Sequence, residues 1–446
     1  MRHFLVILFL LITQGGFTQN EANIWYFGEY AGLDFNSGAP VVLLNSAMVM
    51  DEGVSTISDV NGNLFFYTNG IDVWNRNHQK MPNGTGLNGH SSSTNSGFIV
   101  PKPGSTTTYY IFTTDAFFGP LGLCYSVVDM TLQAGLGDVT QKNLFLHSPV
   151  TEKIAAIEHA NGQGLWVVTH QGNSNVFQSW LVTSSGVSTT PVATNIGTVH
   201  SNANSGNGIG YMKFSPDGKQ LALTIYGLGI IALFDFDAAA GTFSNAQTFP
   251  GTWDDVYGIE FSPNGKLLYV SSDTVLLQFD LTAGTLNDIV NTQTQVGGIG
   301  QMPMAFIAPV QLGPDRKIYW GVYYSDYLGV INDPNQPGLA CNSVAQGVSL
   351  GGRHSLSGLP VFVASLFYAK PFHYVNTCFE DTTHFWTNDS LSFDSVTWNF
   401  GDPVSGIYNT SSLFAPTHIY TTTGTFTVTM VVFKGLLTDT MIQTIA

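Results

Sequence analysis

One phrase recurs along this chain. Phe214-Ser215-Pro216-Asp217-Gly218-Lys219 returns as Phe261-Ser262-Pro263-Asn264-Gly265-Lys266, and a divergent copy follows as Leu312-Gly313-Pro314-Asp315-Arg316-Lys317. The prolines of successive copies are 47 and then 51 residues apart. A strand-flanked repeat of roughly 40–50 residues is the period of a β-propeller, one four-stranded blade per repeat.

Each repeat opens with a strand, a tight turn and a second strand, clearest in Gly208–Phe214, Ser215–Lys219 and Gln220–Tyr226. Pro216 presets the turn and Gly218 supplies a positive φ. A third and a fourth strand follow, ending on a glycine turn, as in Ile230–Asp237 with Gly241 and Leu276–Leu281 with Gly284. Asp235, Asp280 and Asp129 occupy matching places. Front halves start near Gly53, Gly97, Lys153, Gly208, Tyr257, Met304 and Leu356, which gives seven. Ile24–Gly38 reads as a back half without a front, and Gly358–Val363 as a front half without a back. Joining them makes one blade from both ends of the region and leaves no free sheet edge. The expected fold is therefore all-β, a seven-bladed propeller over 20–368. Six blades is the runner-up, because the second and third repeats are irregular in length.

Residues 369–446 read as a second module. Thr397-Trp398-Asn399-Phe400-Gly401-Asp402, then Pro416-Thr417-His418-Ile419-Tyr420, then an alternating strand from Gly424 to Val432 suggest a small immunoglobulin-like antiparallel sandwich. Trp398, Phe400, Gly401, Asp402, His418, Tyr420 and Gly424 match, in order and spacing, the pattern of a PKD (polycystic kidney disease) domain, which this region resembles. Pro403 departs from it. The whole chain also resembles secreted proteins of gliding-type Gram-negative bacteria. Those join a propeller-like region to PKD domains and a type IX secretion sorting module. The carrying phrases are Trp25-Tyr26-Phe27-Gly28, Trp166-Val167-Val168-Thr169-His170 and Pro334-Asn335-Gln336-Pro337-Gly338. That resemblance implies export, with surface attachment or release. No sorting module is present, so the expectation is that the chain is a piece of a longer protein.

Met1–Gln19 fits a secretory signal: Arg2 and His3 precede an apolar run over Phe4–Ile12, too short to span a bilayer, with small residues at Gly16 and Thr18. No later segment reads as a transmembrane helix, so the expected location is extracellular or outer cell surface. A net charge of −16 repels phosphate backbones and argues against nucleic acid. Cys124, Cys341 and Cys378 allow one disulfide in three ways, and three scattered cysteines make no zinc site. The sequence leaves the oligomeric state open.

Loops on one face of a propeller commonly carry its ligand. The loops at that face hold Glu52, His90, His147, His200, Trp253, Asp254, Asp255, Arg353 and His354. These either ring one opening or are solvated loop residues. Glu158, His159 and His170 either line the channel, bind a metal, or serve the fold. Asp59-Val60-Asn61-Gly62-Asn63 faintly resembles a calcium loop but lacks the distal glutamate, which favours a hairpin turn. No serine elbow, phosphate loop or zinc-protease motif occurs, and no cofactor is expected. The functional expectation is a non-enzymatic secreted binding protein for a polysaccharide or a cell-surface protein, with the PKD-like module as spacer or accessory binder. The alternatives are a polymer-degrading propeller enzyme, marked by titratable groups converging in one pocket, and a purely structural adhesin segment.

Overall fold

The computed structural model describes residues 20–446 apart from Thr252, 300–305, 368–371, Asn376, Cys378, 388–393, 435–436 and Ala446. The expected signal segment over 1–19, Cys378, Met304 and part of the loop after Asn291 lie outside the described residues. These fall into two units, one running to residue 369 and one from 370 onward.

The first unit is all-β. Its described residues form seven antiparallel sheets in chain order. Their first strands are Ile24–Phe27, Ser55–Ser58, Gly97–Pro101, Val150–Glu158, Met212–Phe214, Val256–Phe261 and Ile307–Leu312. Five of the sheets are four-stranded meanders; the first has three strands, and the fourth has five because Val176–Thr183 pairs with both Gly186–Val187 and Val192–Asn195.

The repeated phrase is the turn between the first two strands. Ser215 N donates to Gln220 O, and Gly218 N closes the turn on Ser215 O, each at 2.9 Å. Ser215 Oγ donates to Asp217 Oδ1 at 2.7 Å and accepts from Gln220 N at 2.9 Å. Ser262 repeats every bond with Asn264 and Leu267. Asp59 does the same work with its carboxylate, accepting from Asn61 N and Asn63 N. The expected hairpin reading of residues 59–63 therefore holds. His159 is a further variant: its Nδ1 accepts from Asn161 N at 3.1 Å.

The first strands face inward around one short segment. Phe98, Ile154–Ala156, Met212–Phe214, Glu260 and Gln311 with Leu312 surround Val361, Phe362, Ala364 and Phe367. A cavity of only about 20 Å³ is left, room for a single water. Val361 N donates to Val54 O at 3.0 Å and Ser55 Oγ donates to Val361 O at 2.8 Å. Residues 359–367 contribute to all five apolar cores of the unit. This corrects the reading of Gly358–Val363 as a blade's front half. It forms no strand; a single parallel bridge joins Pro360 to Val54, and the segment plugs the centre. The ends of the unit do meet: Glu29 bridges His354, and Phe362 packs 6.1 Å from Trp25, ring to ring.

The second unit has two sheets. His373–Val375, Thr383–Trp386 and Thr417–His418 form one; Thr410–Ser411, Ser395–Asn399, Phe426–Lys434 and Leu437–Ile445 form the other. Ser395–Asn399 alternates exposed and buried, so Val396 and Trp398 enter a core with Phe372, Phe385, Phe400, Tyr420, Val428 and Met430. Trp398 Nε1 donates to Leu413 O at 2.9 Å, and Tyr420 OH to Phe400 O at 3.3 Å. Buried Asp402 accepts from Thr421 N and Oγ1 at 2.9 and 2.7 Å, with His418 Nε2 at 3.2 Å. Gly401 has φ 72° and leaves no room for a Cβ beside Thr427 O, whereas Gly424, at φ 148°, stands in the open.

Candidate functional site

In a meander, the turn between strands two and three rises at the same end as the link to the next sheet. One face of the first unit therefore collects both sets of loops. Beneath it lies a polar cluster. Glu152 and Lys153 are adjacent in an extended strand, so they project to opposite sides. Glu152 Oε2 accepts from Thr94 N and Oγ1, both at 3.0 Å, and Oε1 accepts from Phe117 N at 3.0 Å. Lys153 Nζ donates to Gly208 O and Ile209 O, both at 2.8 Å. Neither side chain is solvent-exposed. Burial raises the Glu152 carboxyl while its donors pull it back; burial lowers Lys153 while the Glu152 charge opposes. The pair is committed to pinning the loops of both neighbouring sheets.

Glu52 is the partly exposed member. Its Oε2 accepts from Tyr257 OH at 2.7 Å and its Oε1 from Ser92 Oγ at 3.1 Å. Burial first, and the Glu152 charge second, push this carboxyl up to about 7. Beside Lys153, His170 and His200 stack with centroids 3.8 Å apart. Burial, aided by the Lys153 charge, holds His170 down to about 3, and His200 is well below its usual value for burial and the same neighbours. Both rings are neutral at ordinary pH.

A second constellation sits where the ends of the unit meet. His354 Nδ1 lies 2.9 Å from Glu29 Oε2, and its ring stacks on Tyr324 at 4.3 Å and 8°. Arg353 stands 5.8 Å over the Tyr30 ring and reaches Leu44 O. The turns between second and third strands need a left-handed residue. Gly70, Asn173, Gly229 and Asp273 supply one, residue types that tolerate it. Phe117 (φ 56°) and Tyr324 (φ 57°) take the same conformation there as aromatics, and Tyr30 (φ 59°) takes it between Ile24–Phe27 and Ala31–Asp34, the first two strands of its three-stranded sheet, at about 1–2 kcal/mol each. Tyr30, Phe117 and Tyr324 are 39%, 46% and 62% exposed, so burial offsets only part of that strain. These three escape sequence reading because an aromatic beside a strand reads as part of it, and Glu29 because its partner His354 is 325 residues away.

The other residues named from sequence disperse. His90 is exposed, accepts from Ser92 N at 3.0 Å and lies 6.0 Å from the Phe117 ring. His147 ends its strand, and burial lowers its pKa. Trp253 is no free platform: its Nε1 donates to Gln293 Oε1 at 3.0 Å, and its ring meets Phe249 and Phe279 edge-on. Asp254 and Asp255 are exposed, and the Asp254 carbonyl accepts from Ser272 Oγ. Glu158 and His159 lie at the turn end of Val150–Glu158, while His170 lies near the loop-face end of the next strand, where Val150 pairs with Gln171. The three do not converge, since His159 serves the hairpin and stacks on Trp166 at 5.4 Å. Cys124 and Cys341 are buried free thiols.

At the centre, successive repeats place Lys213, Glu260 and Gln311 at one position of their first strands, next to Phe214, Phe261 and Leu312. Lys213 Nζ is 3.4 Å from Glu260 Oε2 and donates to Gln311 Oε1. Glu260 also accepts from Phe261 N and Leu312 N, each at 3.1 Å. Aligning the residue before each repeated phrase would have found this trio. No cluster of three or more metal-ligating side chains occurs among the described residues, and no described helix is long and apolar enough to cross a membrane.

No protein-family pattern matches the chain, and no curated protein does. Solved structures resemble it in fold. One is a 6-phosphogluconolactonase-like protein of Bacteroides fragilis NCTC 9343, at 11% identity over 77% of this chain and 99% of that one, with a TM-score of 0.48. Another is the β-propeller domain of Cps50 (Swd1) from Myceliophteria thermophila, at 10% identity over 68% and 93%, with a TM-score of 0.40. A TM-score below 0.5 assigns this chain neither a fold nor an activity.

Proposed function

We propose that this chain is an exported, non-enzymatic surface protein. In this reading residues 20–368 close into a seven-bladed propeller whose loop face holds an extracellular glycan or protein. Residues 369–446 are a PKD-like sandwich serving as spacer or accessory binder. The observation that carries the reading is a division of labour. The buried Glu152, Lys153 and Glu260 are held by backbone and side-chain partners of the unit itself, and its centre is filled by residues 359–367, whereas the exposed aromatics Tyr30, Phe117 and Tyr324 stand in loops. A reaction chamber needs the reverse: an open cavity with unsatisfied acid and base. The test is retention of the chain from residue 20 to 446 on arrays of extracellular glycans and surface proteins. Saturable binding supports the reading, and turnover of any arrayed polymer defeats it.

A second reading, a polymer-degrading enzyme, draws on Glu52. Its raised carboxyl beside Tyr257 has the character of a general acid. That reading requires hydrolysis of an extracellular polymer that is lost in Glu52→Gln.

A further inference from the structure

Tyr324, His354, Glu29, Arg353 and Tyr30 form one patch at the seam of the first unit. Two of the five are bulky aromatics in left-handed turns, where glycine, asparagine or aspartate serve in other sheets. The Tyr324 ring is backed by His354 on one face and largely open to solvent. Glu29 locks His354 through Nδ1, so the stacked pair is rigid before any ligand arrives. Around the rings stand a carboxylate and a guanidinium, which offer an acceptor and donors at the edge of a flat apolar surface.

We infer that this seam is a binding site for a sugar ring of a neutral polysaccharide. The apolar C–H face of a pyranose stacks on Tyr324, and its hydroxyls pair with Glu29 and Arg353. Charge argues against a polyanion: at net −16 the chain repels one, and the patch's single arginine, matched by its one glutamate, does not offset that. This inference rests on the binding-protein reading and narrows it to one ligand class and one site.

The experiment uses the chain from residue 20 to 446 in affinity electrophoresis and calorimetry with neutral glucan and mannan. The decisive variants are Tyr324→Gly and Tyr30→Gly. Glycine suits the left-handed turn, so each variant should melt no lower than wild type. Affinity should nevertheless fall about two- to tenfold, the scale of one lost ring stack. A structural role for these tyrosines predicts the opposite, lower melting with binding kept. Wild-type binding that survives both substitutions overturns the seam assignment and leaves the broader reading standing. Retention of surface proteins but of no glucan or mannan overturns the sugar assignment alone. Turnover of the polymer overturns both.

Discussion

Glu52→Gln tests the electrostatics under the loop face. In the unfolded chain this carboxyl titrates near its ordinary value, about 4.5; in the folded chain burial and Glu152 push it up to about 7. A raised folded-state pKa means that the native state holds the proton more tightly. The stability tied to that proton is fully present below about pH 4.5 and is lost as pH rises through about 7. At about 1.4 kcal/mol for each pH unit between those two values, the loss is roughly 3 kcal/mol. Glutamine keeps the shape and cannot titrate, so the variant lacks this slope. The assay is urea unfolding of wild type and variant at about pH 4.5 and about pH 8. Glu152 and Glu260 also titrate with raised values, but they contribute to both proteins and largely cancel in the difference. The expected result is a variant whose stability relative to wild type improves by roughly 3 kcal/mol between the two pH values. A difference that stays constant with pH would refute the reasoning, because Glu52 would then be as hydrated folded as unfolded.

Further outcomes follow from contacts described above. Lys153→Met leaves Glu152 buried beside a lost cation and should cost roughly 3–5 kcal/mol in urea unfolding; adding Glu152→Gln should cost less than the sum of the two single changes. Phe362→Ala empties the centre of the first unit and should cost about 3–5 kcal/mol, read by the same method. Asp402→Ala strands the Thr421 donors and should lower the second unit's stability by roughly 1–3 kcal/mol, seen as faster amide exchange in Ser395–Asn399 and Phe426–Lys434. Acid should weaken the same unit. Burial alone would raise Asp402, but bonds from Thr421 and His418 hold it below its ordinary value, so stability falls as pH drops through that lowered value.

The hairpins of the first unit were readable because their chemistry is local: an acceptor side chain at Asp59, Ser215 or Ser262 takes nearby amides wherever it occurs. Sheet order followed from the period. The central plug was not readable, since a short apolar run such as Leu359–Val363 has the same pattern in a buried strand and in an irregular core segment. Glu52 stood out as a loop carboxylate, yet its partners did not. Glu152 and Lys153 lie in a strand buried on both faces, where no alternation marks polar residues as unusual. His354 and Arg353 were found as loop residues, but Tyr324 and Tyr30 were hidden by sequences that look like strand ends. Their signal is backbone strain, which only coordinates reveal. Asp235 and Asp280 do share a register, against Gln220 and Leu267. Yet Asp280 caps the turn through Thr282, while beside Asp235 that work passes to Asp237 through Ala239.

Ser55 and Val361 share a hydrogen bond across 306 positions of chain. A ribosome delivers the first of them long before the second. Until residues 359–367 emerge, every sheet already made has an uncovered inner edge, and Trp25 lacks its Phe362 neighbour. Assembly of this unit therefore finishes with one late event. A nascent chain stalled short of it should be a client for holding chaperones, however well its individual hairpins have formed.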